Sequence, residues 1–162
     1  MTSFDEHITE TLAGDTQKNA LDFAAFLKAS GMTTGEGHGM VEGHSMVMYD
    51  GKVIAYMHMD GKPDLPGPWT IWPSWKQTVM DGFILDEATI AIVHANVNIC
   101  SNCARNCARG STKTVYGKSF DNVCGAKLAF TDPNPETLKC VKTLLEMIKE
   151  DIQNGTKSIG HD

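Results

Sequence analysis

Basic charge is scarce in this chain. Its 162 residues carry 14 Lys and Arg against 20 Asp and Glu, a formal net charge of −6. Proteins that hold nucleic acid neutralise phosphates with a basic excess, so this balance argues against that class. A local basic patch around Arg105, Arg109, Lys113 and Lys118 is the one departure from it. Long apolar runs are also missing: no stretch approaches the roughly 20 residues that a membrane helix needs. The opening residues "MTSFDEHITETLAG" are acidic and polar. They lack the basic region followed by an apolar one that marks a secretory leader, so the expected location is cytoplasmic. Catalytic signatures are absent as well. There is no G-x-S-x-G, no H-E-x-x-H and no phosphate loop.

What is present fits one folded domain. Hydrophobic residues make up 41% and charged residues 21%, as in ordinary globular proteins, and 162 residues suffice for a real core. Residues 1–15 read as an N-terminal extension. Residues 16–30 read as a helix with Ala20, Phe23, Ala24 and Leu27 on one face, Asp15 as its cap and Gly31 at its end. The stretch "GMTTGEGHGMVEGH" at 31–44 reads as a loop. It carries Glu36, His38, Glu42 and His44, which could serve as ligands or as acid and base, or simply as solvated charges. Its glycines are not the dinucleotide fingerprint, because no strand precedes them.

Asp50-Gly51 between two β-rich runs predicts a two-residue hairpin turn. Counting outward, Tyr49 falls opposite Lys52, Met48 opposite Val53, Met46 opposite Ala55 and His44 opposite Met57. That register gathers His44, Met46, Met48, Val53, Ala55, Met57 and Met59 on one face, and Val47, Tyr49, Ile54, Tyr56 and His58 on the other. Imidazole with thioethers could hold copper(I), but methionines filling a core account for the same pattern. "WTIW" reads as a short third strand, at an edge because of its flanking prolines. Asp86 begins a helix through the 86–100 region. "TKTVYG" and "AKLAFT" read as two short strands, and a helix from Pro135 carries the apolar stripe Leu138, Val141, Leu145, Ile148 and Ile152. The expected fold is therefore α+β: a single domain over 16–155, with a mainly antiparallel sheet, helices largely on one face and a cysteine-rich loop. Residues 156–162 form a frayed tail.

Three cysteines fall within eight positions, in "CSNCARNC". With a fourth they make C-x2-C-x3-C-x16-C, from Cys100, Cys103, Cys107 and Cys124. Two thiolates separated by two residues can converge on one ion at about 2.3 Å, and two more would complete a tetrahedron. Small polar neighbours and the nearby Arg105 and Arg109 suit such a site. Zinc is the expected metal. An iron–sulfur cluster is the alternative, although the spacing differs from the usual C-x2-C-x2-C-x3-C. A third account leaves the thiols as redox groups. Five cysteines in all is an odd number, which fits poorly with a closed disulfide framework. Cys140 lies on the flank of the last helix and reads as a small buried hydrophobe.

Trp69 and Trp72 face opposite sides of a strand, so one can be core while the other lines a cavity. Trp72, Tyr56 and His58 are the candidate residues for a small-molecule pocket on the sheet. At "GPWTIW", "HANVNICSNC", "KTVYGKSFDNVC" and "LAFTDPNPETLKCVKTLLEMIKEDI" the chain resembles a group of small bacterial proteins of unknown function. The resemblance spans roughly residues 16–153 and implies that the cysteine segment and the last helix share one domain. The order of elements also resembles YdhG/YjbR-like sheet-plus-helix domains, which implies a fold and no activity. The expected protein binds a metal, with zinc held structurally by the four cysteines. Its partner, small molecule or protein, is unidentified. A thiol redox protein and an effector-binding module are the competing classes.

Overall fold

In a computed structural model, residues 3–36, 44–59, 67–74, 82–101 and 109–159 are described, with the side chains of Glu36, His44 and residues 156–159 apart. Ser3 opens the first helix, α1 (Phe4–Thr11), through a reciprocal capping box: the Glu6 N–H donates to Ser3 Oγ at 3.2 Å and the Ser3 N–H donates to Glu6 Oε2 at 2.8 Å. Residues 1–15, expected as an extension, thus contribute a helix to the core. Ile8 is completely buried and Leu12 nearly so.

Helix α2 (Gly14–Ala29) buries the anticipated face of Ala20, Phe23, Ala24 and Leu27. Its N-cap is Ala13, and Asp15 sits in the first turn instead. The far end closes as the sequence suggests. Gly31 adopts φ +70, and the Gly31 and Met32 N–H groups donate to the Lys28 and Leu27 carbonyls, which satisfies two end-of-helix acceptors.

A five-stranded antiparallel sheet runs in the order β1 (Thr33–Glu36), β2 (His44–Tyr49), β3 (Lys52–Met59), β4 (Trp69–Pro73) and β8 (Phe130–Thr131). Strand β1 lies inside the stretch that reads as loop. Residues 37–43, with His38 and Glu42, lie outside the described residues. Asp50 (φ +50) and Gly51 (φ +72) make the turn in the left-handed form that a tight hairpin demands. Tyr49 pairs with Lys52 and Met48 with Val53, as counted from the turn. The register then shifts, because Val47, not Met46, faces Ala55. Ile54 is an extra residue on β3, a bulge that rotates every later side chain to the other face. The expected Met and His face is therefore divided. Met57 and Met59 point into the core with Val47 and Ala55, whereas Met46 pairs with Tyr56 and is half-buried, as is Met48. His44 pairs with His58 instead of Met57.

Strand β4 is an interior strand, since β8 pairs along its other side. The helices pack on the face bearing Trp69 and Ile71, where Phe23 of α2 meets Trp69 with ring centroids 6.0 Å apart. Asp86 caps α3 (Glu87–Ala95) by accepting from the Thr89 N–H at 2.7 Å. The chain then turns into a strand at Val97, in place of the longer helix expected. Strands β5 (Val97–Ile99), β6 (Ser111–Val115) and β7 (Lys118–Leu128) form a second, three-stranded antiparallel sheet with β7 in the middle. This sheet goes beyond the sequence expectation: "TKTVYG" is β6 with its left-handed turn at Tyr116-Gly117, and "AKLAFT" is divided between the end of β7 and β8 of the large sheet. Helix α4 (Pro135–Ile159) starts on Asn134, whose side chain accepts from the Thr137 N–H at 2.8 Å. It buries all five residues of its expected stripe and runs past Gly155. Lys149 donates to the Ser30 carbonyl at 2.9 Å, which ties α4 to the end of α2. Among the described residues no helix is long and apolar enough to cross a membrane.

Ile8 and Ile84 offer opposite tests of this arrangement. Ile8→Ala removes a completely buried side chain and should cost about 2–5 kcal/mol in urea unfolding. Ile84 is 100% exposed, and Ile84→Ala should change stability by no more than about 0.5 kcal/mol. Equal effects would mean that α1 is not part of the core.

Candidate functional site

The small sheet positions the two described cysteines of the cluster, Cys100 and Cys124. Val123 on the central strand pairs with Ile99 of β5 on one side and with Ser111 of β6 on the other. Strands β5 and β6 both run antiparallel to β7, so the chain leaves β5 and re-enters the sheet on β6 at the same level of β7. The described strands thus end on one side at Ile99 and resume on the other at Ser111, both paired with Val123; residues 102–108, with Cys103 and Cys107, lie outside the described residues. Cys124 is the residue after Val123.

Cys100 is held there by its backbone. Its N–H donates to the Asn122 carbonyl at 2.7 Å, and Asn122 Nδ2 donates back to the Cys100 carbonyl at 3.2 Å. Cys100 directly follows β5, and Cys124 follows Val123 on β7, the partner of Ile99. Both side chains are half-buried. Beyond Val123 the ladder breaks: Val97 pairs with Leu128, so β7 carries the excess residues, and Asn98 Nδ2 spans the irregularity to the Ala126 carbonyl at 2.8 Å. Cys103, Cys107 and Arg105 lie outside the described residues. Among the described residues no group of three His, Cys, Asp or Glu side chains is placed to hold a metal. Of the four cysteines, the described ones in this region are Cys100 and Cys124, and thiols are the ligand type that a soft metal takes.

Asn122 and Gly110 do not stand out in the sequence. Asn122 adopts φ +57, and a Cβ built on Gly110 would meet its backbone at 2.7 Å. An asparagine one residue before a valine–cysteine pair carries only a weak signal by itself. It becomes legible once the pairing of β5 and β6 with β7 is known.

Cys140 is separate from this centre. Burial pushes its thiol up to about 12, helped by the negative charge of Asp86. It therefore stays a neutral thiol in the core, as a buried hydrophobe should. Asp86 itself is held below the usual carboxylate range by its hydrogen bonds to Thr89.

The three pocket candidates share one face of the large sheet, opposite the helices. Tyr56 and Trp72 are direct partners across β3 and β4, and His58 lies two residues along β3 from Tyr56. The Ile54 bulge leaves these three together because all lie beyond it. The face is closed at one end and open at the other. His58 and its partner Thr70 are 1% and 0% exposed, whereas Tyr56 is 42% exposed. Trp69 is core, and Trp72 lies on the other face and is half-buried.

The chain matches no family model, no curated protein and no solved structure.

The state of Cys140 can be read by alkylation. At pH 8 it should react orders of magnitude more slowly than an exposed thiol, and at the normal rate in denaturant. A folded-state thiol raised from the ordinary 9.0 to about 12 favours the neutral form. Its contribution to stability is therefore full below about pH 9 and declines as the pH rises toward 12. Unfolding of wild type and Cys140→Ala should show that alkaline loss in wild type alone. Rapid alkylation of Cys140 in the folded protein would show that it is not buried.

Proposed function

We propose that this protein binds a metal ion through Cys100, Cys103, Cys107 and Cys124, and that the metal is zinc in a structural role. The C-x2-C-x3-C-x16-C spacing carries the reading, and it is supported by the pairing of Ile99 and Ser111, which flank the cysteine run, with Val123, the residue before Cys124. Two supporting features come from the described residues: Cys100 is fastened to Asn122 by two hydrogen bonds, and Cys100 and Cys124 are both half-buried. Four thiolates would fill a tetrahedral ion and leave no position open for water, so such a site pins structure and does no hydrolysis. Thiolates available for a metal imply a reducing compartment, and the cytoplasm is the proposed location. An iron–sulfur cluster would use the same residues.

Elemental analysis of untagged protein should find about one zinc per chain, colourless, and Cys124→Ser should lower that content. A brown protein with visible absorbance would replace zinc with iron and sulfide. No metal of either kind would leave thiol redox chemistry as the account of the cluster. The chain owns a core away from the small sheet, so metal removal should not unfold it. Hydrogen exchange after chelation should rise across residues 98–124 and stay low in β3 and α4. Exchange rising throughout would mean that the metal organises the whole fold.

A second reading rests on the Tyr56–Trp72 pair. An open aromatic end beside a buried imidazole suits a small molecule with a flat apolar body. Compounds that raise the melting temperature of wild type should lose that effect in Trp72→Ala. Shifts that persist in Trp72→Ala would place the ligand elsewhere.

A further inference from the structure

We infer that helix α3 is the contact face of a homodimer, packed antiparallel against α3 of a second copy of this chain. The face is made without the cysteines, so it stands apart from the metal reading.

The helix is apolar on more sides than the fold covers. Six of its nine residues are apolar: Ala88, Ile90, Ala91, Ile92, Val93 and Ala95. A helix that is apolar all round belongs in an interior. Yet Val93 is its one buried residue. Ala88, Ala91 and Ala95 are exposed and Ile92 is half-buried, and their spacing of three and four puts them on one face. Both flanks of the helix continue the pattern. Ile84, two residues before the Asp86 cap, is 100% exposed, and Ile99, on β5 just past the helix, is 51% exposed. Among the described residues three large hydrophobic side chains are exposed, and two of them bracket α3 in this way. An apolar surface of this extent, rimmed by charge, marks a contact with another protein.

Charge decides which protein. The two ends of the face carry opposite signs. Glu87 stands exposed in the first turn. Asp86 beside it is engaged in capping Thr89 and feels the positive charge of Lys139. At the far end, His94 Nε2 donates to the Val115 carbonyl at 2.7 Å, and the His94 ring lies 5.5 Å from that of Phe120. Lys118 Nζ sits 5.2 Å from the same Phe120 ring, and Lys113 pairs with Phe120 across β6 and β7. A face that runs from acid through apolar to base is complementary to its own image turned end for end. A two-fold axis at Ala91 produces that image. Glu87 of each chain then falls opposite Ala95 of the other, at the end where the lysines gather around Phe120. The helix dipoles oppose in the favourable sense. The exposed alanines carry nothing beyond Cβ, so the two helices can approach to about 8–10 Å between axes.

The test is the oligomeric state of the full-length protein, with the chain itself as the probe. Sedimentation velocity at about 50 µM should give twice the 17.6 kDa mass of the chain, and dilution should return the monomer. Ala91→Glu places a charge beside its own image on the axis. It should weaken association by at least about tenfold, with far-UV circular dichroism unchanged because residue 91 is exposed. Ile84→Ala should also weaken the dimer, with the stability of the single chain, read at dilution, nearly unaltered. Charge reversal tests the orientation. Glu87→Lys and Lys118→Glu should each weaken the dimer, and the two together should restore it. Within one chain these residues stand at opposite ends of α3, so restoration reports a contact between chains. A protein that stays monomeric at about 50 µM overturns the inference. A dimer that Ala91→Glu leaves intact overturns it too, since the contact would then lie elsewhere. A dimer that Ala91→Glu weakens and the double reversal does not restore rules out the antiparallel arrangement. Should Ala91→Glu fail to fold, Ile84→Ala decides.

Discussion

One inserted residue governs which side chains the large sheet buries. Without Ile54, the hairpin would send Met46 and Met48 inward opposite Ala55 and Val53. With it, Val47 and not Met46 pairs with Ala55 and joins Ala55, Met57 and Met59 on the inner face. The next strand follows: Trp69, Ile71 and Pro73 face the helices because they pair with those inner residues. Phe23 of α2 and the apolar stripe of α4 then have a surface to cover. Tyr56, His58, Thr70 and Trp72 lie together on the opposite face through the regular β3–β4 pairing. Ile54 is itself completely buried, and its carbonyl accepts from the Ser74 N–H, so the extra residue is anchored on both counts.

Much of the fold is legible where local chemistry acts alone. The α2 face, the Asp50-Gly51 turn, the Asp86 cap and the α4 stripe depend on neighbours within a few residues, and all can be read in the chain. The Ser3-x-x-Glu6 capping box is equally local, but an acidic, polar opening masks it, and α1 reads as an extension. What cannot be read depends on pairing at a distance. A bulge at Ile54 has no glycine or proline to announce it, since the residue is a good strand former. Strand β1 is hidden in a glycine-rich stretch because its partner, β2, supplies the reason to extend. The small sheet is hidden because Tyr116-Gly117 is an unusual pair for a tight turn. It works here because Tyr116 accepts φ +43.

The candidate centre shows the same division. Cysteine spacing is written in the sequence, and so is the suitability of thiolates for a soft metal. That Cys124 belongs with Cys100 is written only in the pairing of β5 and β6 with one level of β7. Asn122 carries the most information for the least signal. Its left-handed backbone, its amide and its contact with Gly110 are each ordinary, and they matter because they coincide. On the other face, Tyr56 and Trp72 can be named from alternation alone, but their pairing is set by the β3–β4 register, which the chain does not announce.

The run from Lys118 to Thr131 has a further consequence. It serves the small sheet as β7 and, after Ala129 alone, the large sheet as β8. Ala129 is fastened in turn by donating to the Asn96 carbonyl at the end of α3. Two sheets that share one nearly continuous strand are not independent plates. They have lost most of their relative rigid-body freedom, and Asn96 sits at the pivot. A twist imposed on β7 near Asn122 can relax only by straining the Ala129 joint or by tilting the Thr70–Thr131 edge. Through covalent geometry, and with no dedicated relay of side chains, the cysteine region and the aromatic face thus become parts of one lever.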